Sequence, residues 1–158
     1  MTGWDAPRLE AYARELAAAP GPWRHLVAPD PAQRTYELLH HDDEVMAWLI
    51  CWLDDHDTGF HDHDGSSGAV AVVEGAVREE RLRLGSAPIE RVARAGQSFT
   101  FSAADIHRVR HEAGRPAITI HAYSPPLWRM GSYEVAEGGA LRRHSISYAE
   151  ELRPRTAA

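Results

Sequence analysis

The chain has 158 residues, 44% hydrophobic and 25% charged, which suits one globular domain with a real core. Its formal net charge is −6 and all seventeen cations are Arg, so no general binding to nucleic-acid phosphates is expected. The single cysteine, Cys51, excludes an intramolecular disulfide and a Cys-rich zinc site. No stretch reads as a membrane span or a secretion signal, so a cytoplasmic domain is expected.

Asp5-Ala6-Pro7 is a helix start, an Asp N-cap with Pro in the first turn. Leu9, Tyr12, Ala13, Leu16 and Ala17 recur at helical spacing until Pro20-Gly21-Pro22 stops them. A short helical turn around Trp23–Val27 ends at Pro29-Asp30-Pro31. This N-terminal segment, about 5–28, is expected to pack against the outside of the strand-rich remainder.

From Arg34 the period changes to two. Strands are predicted over Thr35–His40 and Val45–Leu53. A hairpin of Gly68–Glu74 and Val77–Leu84 turns at Gly75-Ala76, and Ile89–Arg94 and Ser98–Phe101 flank Gly96. Ile106–His111 and Ala117–Tyr123 form a further pair joined at Gly114-Arg115-Pro116, ended by Pro125-Pro126. Ser132–Val135 and Leu141–Ile146 close the sheet. Tyr148–Arg155 reads as a short helical or loose tail. Eight or more short strands with regular turn signals imply an all-β antiparallel sandwich or barrel over about 34–147, within one domain, 1–158.

Ten histidines against no lysine direct attention to imidazole chemistry. His61 and His63 stand at i and i+2, which on a strand puts both imidazoles on one face; a helix would need i and i+4. A polar surface turn is the other reading of this segment. His107, between Ile106 and Val109, is either a third ligand or a hydrogen-bonded core histidine. His25, His40, His41 and His144 read as surface or turn residues. His56 lies in an Asp-rich loop near the barrel mouth and could gate or bind, and His111 shares the face of His107.

Here the chain resembles the cupins, small antiparallel (jelly-roll or double-stranded β-helix) barrels with a metal in the mouth. His61, His63 and Gly75 fit their first motif, but Gly68 stands where its acid would be. His107 fits their second motif, with Ala104 in place of its Gly. Three histidines without the acid resemble the cysteine dioxygenase family of thiol dioxygenases. Leu49-Ile50-Cys51-Trp52 and Gly75-Ala76-Val77-Arg78-Glu79 are similar to that family's strands. Thr119-Ile120-His121-Ala122-Tyr123-Ser124-Pro125-Pro126 is similar to its Ser-x-His-x-Tyr-Ser-Pro-Pro segment.

The resemblance covers residues 34–130. It implies Fe2+ held by His61, His63 and His107, a small thiol and O2 as reactants, and a sulfinate product. Thr119, His121 and Tyr123, spaced at two, share one strand face and permit a hydroxyl–imidazole–phenol relay. Mammalian members carry a Cys that crosslinks to the Tyr; Gly68 falls there, so no crosslink is expected. The family's carboxylate-binding Arg aligns with Tyr36, so Arg34, on the same strand face, and Arg129 are the other substrate-binding candidates. A cupin acting on a non-thiol substrate, and a ligand-binding cupin without turnover, are the competing classes. No oligomeric state is implied, and a monomer is compatible with the sequence.

Overall fold

The structure is a computed structural model, and it describes residues 3–148. Asp5 opens helix α1 (Ala6–Ala18) as its sequence predicts, the carboxylate accepting the backbone N–H of Arg8. A 3-10 turn, Arg24–Leu26, comes after the proline-rich stop. The expected tail beyond Tyr148 lies outside the described residues.

Eleven strands among the described residues come next: β1 (Thr35–His41), β2 (Met46–Trp52), β3 (His61–Asp62), β4 (Ser67–Glu74), β5 (Ala76–Arg81), β6 (Ile89–Arg94), β7 (Ser98–Phe101), β8 (His107–His111), β9 (Ala117–Ser124), β10 (Arg129–Val135) and β11 (Leu141–Ser147). They form two antiparallel sheets, ordered β1-β2-β9-β4-β7 and β11-β10-β3-β8-β5-β6.

Two predicted strand pairs, the hairpin at Gly75-Ala76 and the pair joined at Gly114-Arg115-Pro116, are replaced by crossings between the sheets. β4 pairs with β7 and β9, not with β5, which pairs with β6 and β8. β6 and β7 part in the same way, as do β8 and β9. Turn residues and period-two alternation mark where the chain bends, but not which strand it then meets. Gly75 makes the first crossing a sharp corner: its φ is +68°, and a Cβ there would lie 2.5 Å from the carbonyl oxygen of Pro116. The last two strands, expected to close the sheet, pair with each other as the β10–β11 hairpin.

The interior between the sheets holds Trp48, Ile50, Trp52, Val70, Val72, Val77, Phe99 and Val109. A second apolar layer lies on the outer face of the five-stranded sheet. There Leu9 and Ala13 of α1, with Trp23, cover Leu49, Ala69, Ala71, Ile118, Ile120 and Ala122. Strands β2, β4 and β9 are thus covered on both faces, which is why they read as near-continuous apolar runs.

Gly75→Ala is expected to cost about 3 kcal/mol, combining left-handed strain with a backbone clash, whereas Gly85→Ala should cost about 1 kcal/mol. Gly85 has φ +72° but open space around it. Urea denaturation midpoints check this, and equal losses at the two positions would contradict the corner assignment.

Candidate metal centre

The strand that carries the histidine pair is short. β3 touches β8 at one residue pair, His61 opposite His107, and β10 at two. His63 lies just beyond the strand, before Asp64 at φ +56°. His61, His63 and His107 are each 3% exposed or less, and each offers one nitrogen within 4.8 Å of the others. Burial pushes His63 and His107 well below the ordinary imidazole range, and the neighbouring imidazoles add to the effect. Both rings are therefore neutral.

Three devices hold the rings. Nδ1 of His61 donates to the carbonyl of Gly59 at 2.9 Å, and Nδ1 of His107 donates to the buried carboxylate of Glu79 at 2.7 Å. Both assignments leave Nε2 as a lone pair. His63 is held by stacking on Phe101, with ring centroids 4.3 Å apart and planes at 24°. Its Nδ1 is buried without a hydrogen-bond partner among the described residues.

Asp62 points away from the cluster. It accepts from the backbone N–H of Gly131, the Tyr133 hydroxyl at 2.6 Å, and both Nε and Nη2 of Arg143. Burial opposes its ionisation, but Arg143 and Tyr133 outweigh that and hold the carboxyl well below its usual range. The β10–β11 hairpin therefore clamps the two-residue strand on which the ligands depend.

Nε2 of His61 and Nε2 of His63 lie only 3.2 Å apart. Nitrogens that converge in this way repel unless a proton or a metal lies between them. Three buried imidazoles suit a divalent transition metal rather than Mg2+ or Ca2+, so the residues fit a bound metal. No carboxylate belongs to the group among the described residues.

The cluster opens into a cavity walled by Ile50, Val109, Leu127 and Met130, with Arg34 as its guanidinium. Arg34 is 8% exposed and sits 5.4 Å over the Trp52 ring. On the cavity side of β9, Nε2 of His121 lies 2.9 Å from Oγ1 of Thr119, and Nδ1 lies 3.2 Å from the Tyr123 hydroxyl. Trp52 donates its indole N–H to Oγ1 of Thr119 at 2.8 Å. Either neutral tautomer of His121 satisfies both contacts. One accepts the Tyr123 hydrogen; the other donates to the Tyr123 oxygen.

The structure thus brings together seven of the nine predicted site residues: His61, His63, His107, Thr119, His121, Tyr123 and Arg34. Two lie elsewhere. Tyr36 packs edge-on against Trp48 and does not line the cavity. Arg129 is exposed and donates to Ser145, so it is not brought to the cavity. His56 ties its loop to the backbone of Leu53 instead of reaching the mouth, and His111 contacts the carbonyl of Arg115.

Sequence reasoning missed Glu79, Phe101 and the donor role of Trp52. Glu79 was findable: alternation along β5 puts it on the inward face of Val77. Gly68 stands directly opposite Tyr123, where a Cβ would run into the Phe101 ring. Phe101 therefore occupies the space in which a crosslinking side chain would have to fit.

A family model described as cysteine dioxygenase type I matches residues 5–136. The cysteine dioxygenase type 1 of Homo sapiens is 25% identical over 129 residues, covering 75% of this chain and 62% of its own length. That of Danio rerio is 23% identical over 130 residues, covering 75% and 65%. The chain spans less than two-thirds of the length of these relatives. Among solved structures, the TT1209 protein of Thermus thermophilus has a TM-score of 0.57 at 20% identity, over 65% of this chain and 92% of that one. An uncharacterized double-stranded β-helix protein from Klebsiella pneumoniae has 0.56 at 12% identity, over 76% and 91%. An oxalate oxidase has 0.55 at 16% identity, over 63% and 56%. At these identities the structural likenesses establish the fold, a double-stranded β-helix barrel.

Burial, aided by the nearby Arg34 and His61, pushes His121 down to about 3. Unfolded, it titrates near about 6.5. As pH falls through that window the unfolded state takes up a proton that the folded state refuses, so stability declines. His121→Gln should flatten the acid side of the stability profile of the metal-free protein, measured by urea midpoints between about pH 7.5 and about pH 4.5. An unchanged slope would contradict the neutral buried assignment.

Proposed function

This chain belongs to the cysteine dioxygenase type I family, and on that premise we propose that it oxidises a small anionic thiol with O2 to the sulfinate, at Fe2+ held by His61, His63 and His107. The observation that carries the reading is the buried triad of imidazoles without a carboxylate among its members. Bound there, a ferrous ion supplies open coordination positions for a thiolate and for O2, and a path for electrons between them.

The charges are complementary in this reading. Imidazole ligands bring no negative charge to offset the ion's two positive ones, and the guanidinium of Arg34 lines the same cavity. A thiolate with a carboxylate brings two negative charges into a cavity whose lining holds no Asp or Glu among the described residues. Arg34 is the group to bind that carboxylate, since a guanidinium matches it with two parallel hydrogen bonds. Ile50, Leu127 and Met130 keep water from the reacting sulfur.

Tyr123, oriented by His121 and Thr119, presents a donor or a lone pair to the cavity according to the tautomer of His121. It can therefore position the reactants by hydrogen bond and hold a proton without an ion forming in the relay. Both oxygen atoms end on sulfur, which supplies all four electrons, so no external reductant is consumed. The thiol proton is released. A cytoplasmic location belongs to the same proposal, as a reducing compartment preserves a ferrous site.

Oxygen uptake by the Fe2+-loaded protein tests this with cysteine, 3-mercaptopropionate, mercaptosuccinate and cysteamine. The expected result is uptake with a carboxylated thiol and one sulfinate per O2. Arg34→Ala should raise KM for that substrate by about 10- to 100-fold, the worth of a charge-assisted hydrogen bond, with little effect on cysteamine. Tyr123→Phe should lower kcat by about 100-fold. Absence of uptake with every thiol would overturn the proposal.

A further inference from the structure

Glu79 lies in the six-stranded sheet behind His107, and its carboxylate is 1% exposed. It faces Arg91 of β6 and Val109 of β8 across the ladder. Burying a carboxylate costs several kcal/mol unless partners compensate, and here three groups do. Oε2 accepts Nδ1–H of His107 at 2.7 Å, Nη2 of Arg81 lies 3.2 Å from both oxygens, and Nε of Arg91 lies 3.0 Å from Oε1. Two cations, Arg81 and Arg91, share this carboxylate with the His107 ring. Arg81 also bonds the carbonyl of Thr100 and lies near Asp105, so its position is fixed. Arg91 is 45% exposed along its side chain and rests over Phe99.

We propose that Glu79 is a positioning residue that fixes the tautomer of His107 and sends negative charge through its ring to the metal, standing at one remove for the acid that Gly68 replaces. Arg91 limits that charge from the far side of the carboxylate. A carboxylate behind a ligating imidazole makes the ring a stronger donor, which favours the more oxidised metal and lowers its reduction potential. A guanidinium on the same carboxylate has the opposite effect, and solvent screens part of it because Arg91 is half exposed. The triad thus remains uncharged among its own ligands while receiving charge from the next layer. The proposal rests on the three-histidine metal site but not on thiols being the substrate.

The test uses the full chain, loaded anaerobically with Fe2+, in native, Glu79→Gln and Arg91→Gln forms. Glutamine can accept the same hydrogen bond without the charge. Affinity is read by competition with a chelator and potential by redox titration. Glu79→Gln should weaken Fe2+ binding about 10- to 100-fold and raise the potential. Arg91→Gln should lower the potential and change affinity by less than about 3-fold, within the small effect of one exposed charge. Arg91→Gln leaves the buried carboxylate in place, so it decides the matter should Glu79→Gln fail to fold. Native affinity and potential in Glu79→Gln, or an unmoved potential in Arg91→Gln, would overturn the proposal while sparing the metal centre. A native protein that bound no Fe2+ at these histidines would overturn both.

Discussion

Imidazole rings can be buried side by side in an apolar barrel only if all of them give up their charge. The rest of this molecule depends on the way that constraint is met. His61, His63 and His107 converge from β3, its outgoing turn and β8, and each is held by a different contact: a carbonyl, an aromatic face and a carboxylate. Rings held from behind keep their lone pairs directed at one point. Their buried convergence is a cost to the metal-free fold and the source of its affinity for a cation.

The scaffold separates structural from chemical duties on single strands. On β9, Ile118, Ile120 and Ala122 pack under helix α1, while Thr119, His121 and Tyr123 face the cavity. The helix lies far from the cavity in sequence, yet its apolar face packs on the same strand whose other face lines that cavity. On β3, His61 points inward and Asp62 outward, where Arg143 and Tyr133 of the last hairpin grip it. Tyr133 lies within residues 5–136 but Arg143 falls beyond them, so the charged half of this clamp comes from a part of the chain that the family match does not reach.

Most strands were legible because alternation and turn residues are local signals, and the capped helix was legible for the same reason. Pairing was not: Gly75, Gly96 and Gly114 announce bends, but whether a bend is a hairpin or a crossing depends on which faces the partner sheet covers. Among site residues, the Thr119–His121–Tyr123 spacing could be read directly, since period two places them on one strand face, whereas His63 meets His61 from the turn just beyond β3. Choosing among Tyr36, Arg34 and Arg129 could not be done from spacing, because strand register and hairpin direction decide which of them reaches the cavity. Glu79 hid in a run of charges, Arg78-Glu79-Glu80-Arg81, that looks like a solvated face until the neighbouring strand brings His107 against it.

X-ray absorption at the iron edge of the Fe2+-loaded protein tests the central claim most directly, before and after anaerobic addition of the carboxylated thiol. The account predicts scattering from three imidazoles in the free protein, without a protein carboxylate, and a new sulfur neighbour once the thiol is added. An iron bound by Asp or Glu, or one that gains no sulfur, would contradict it.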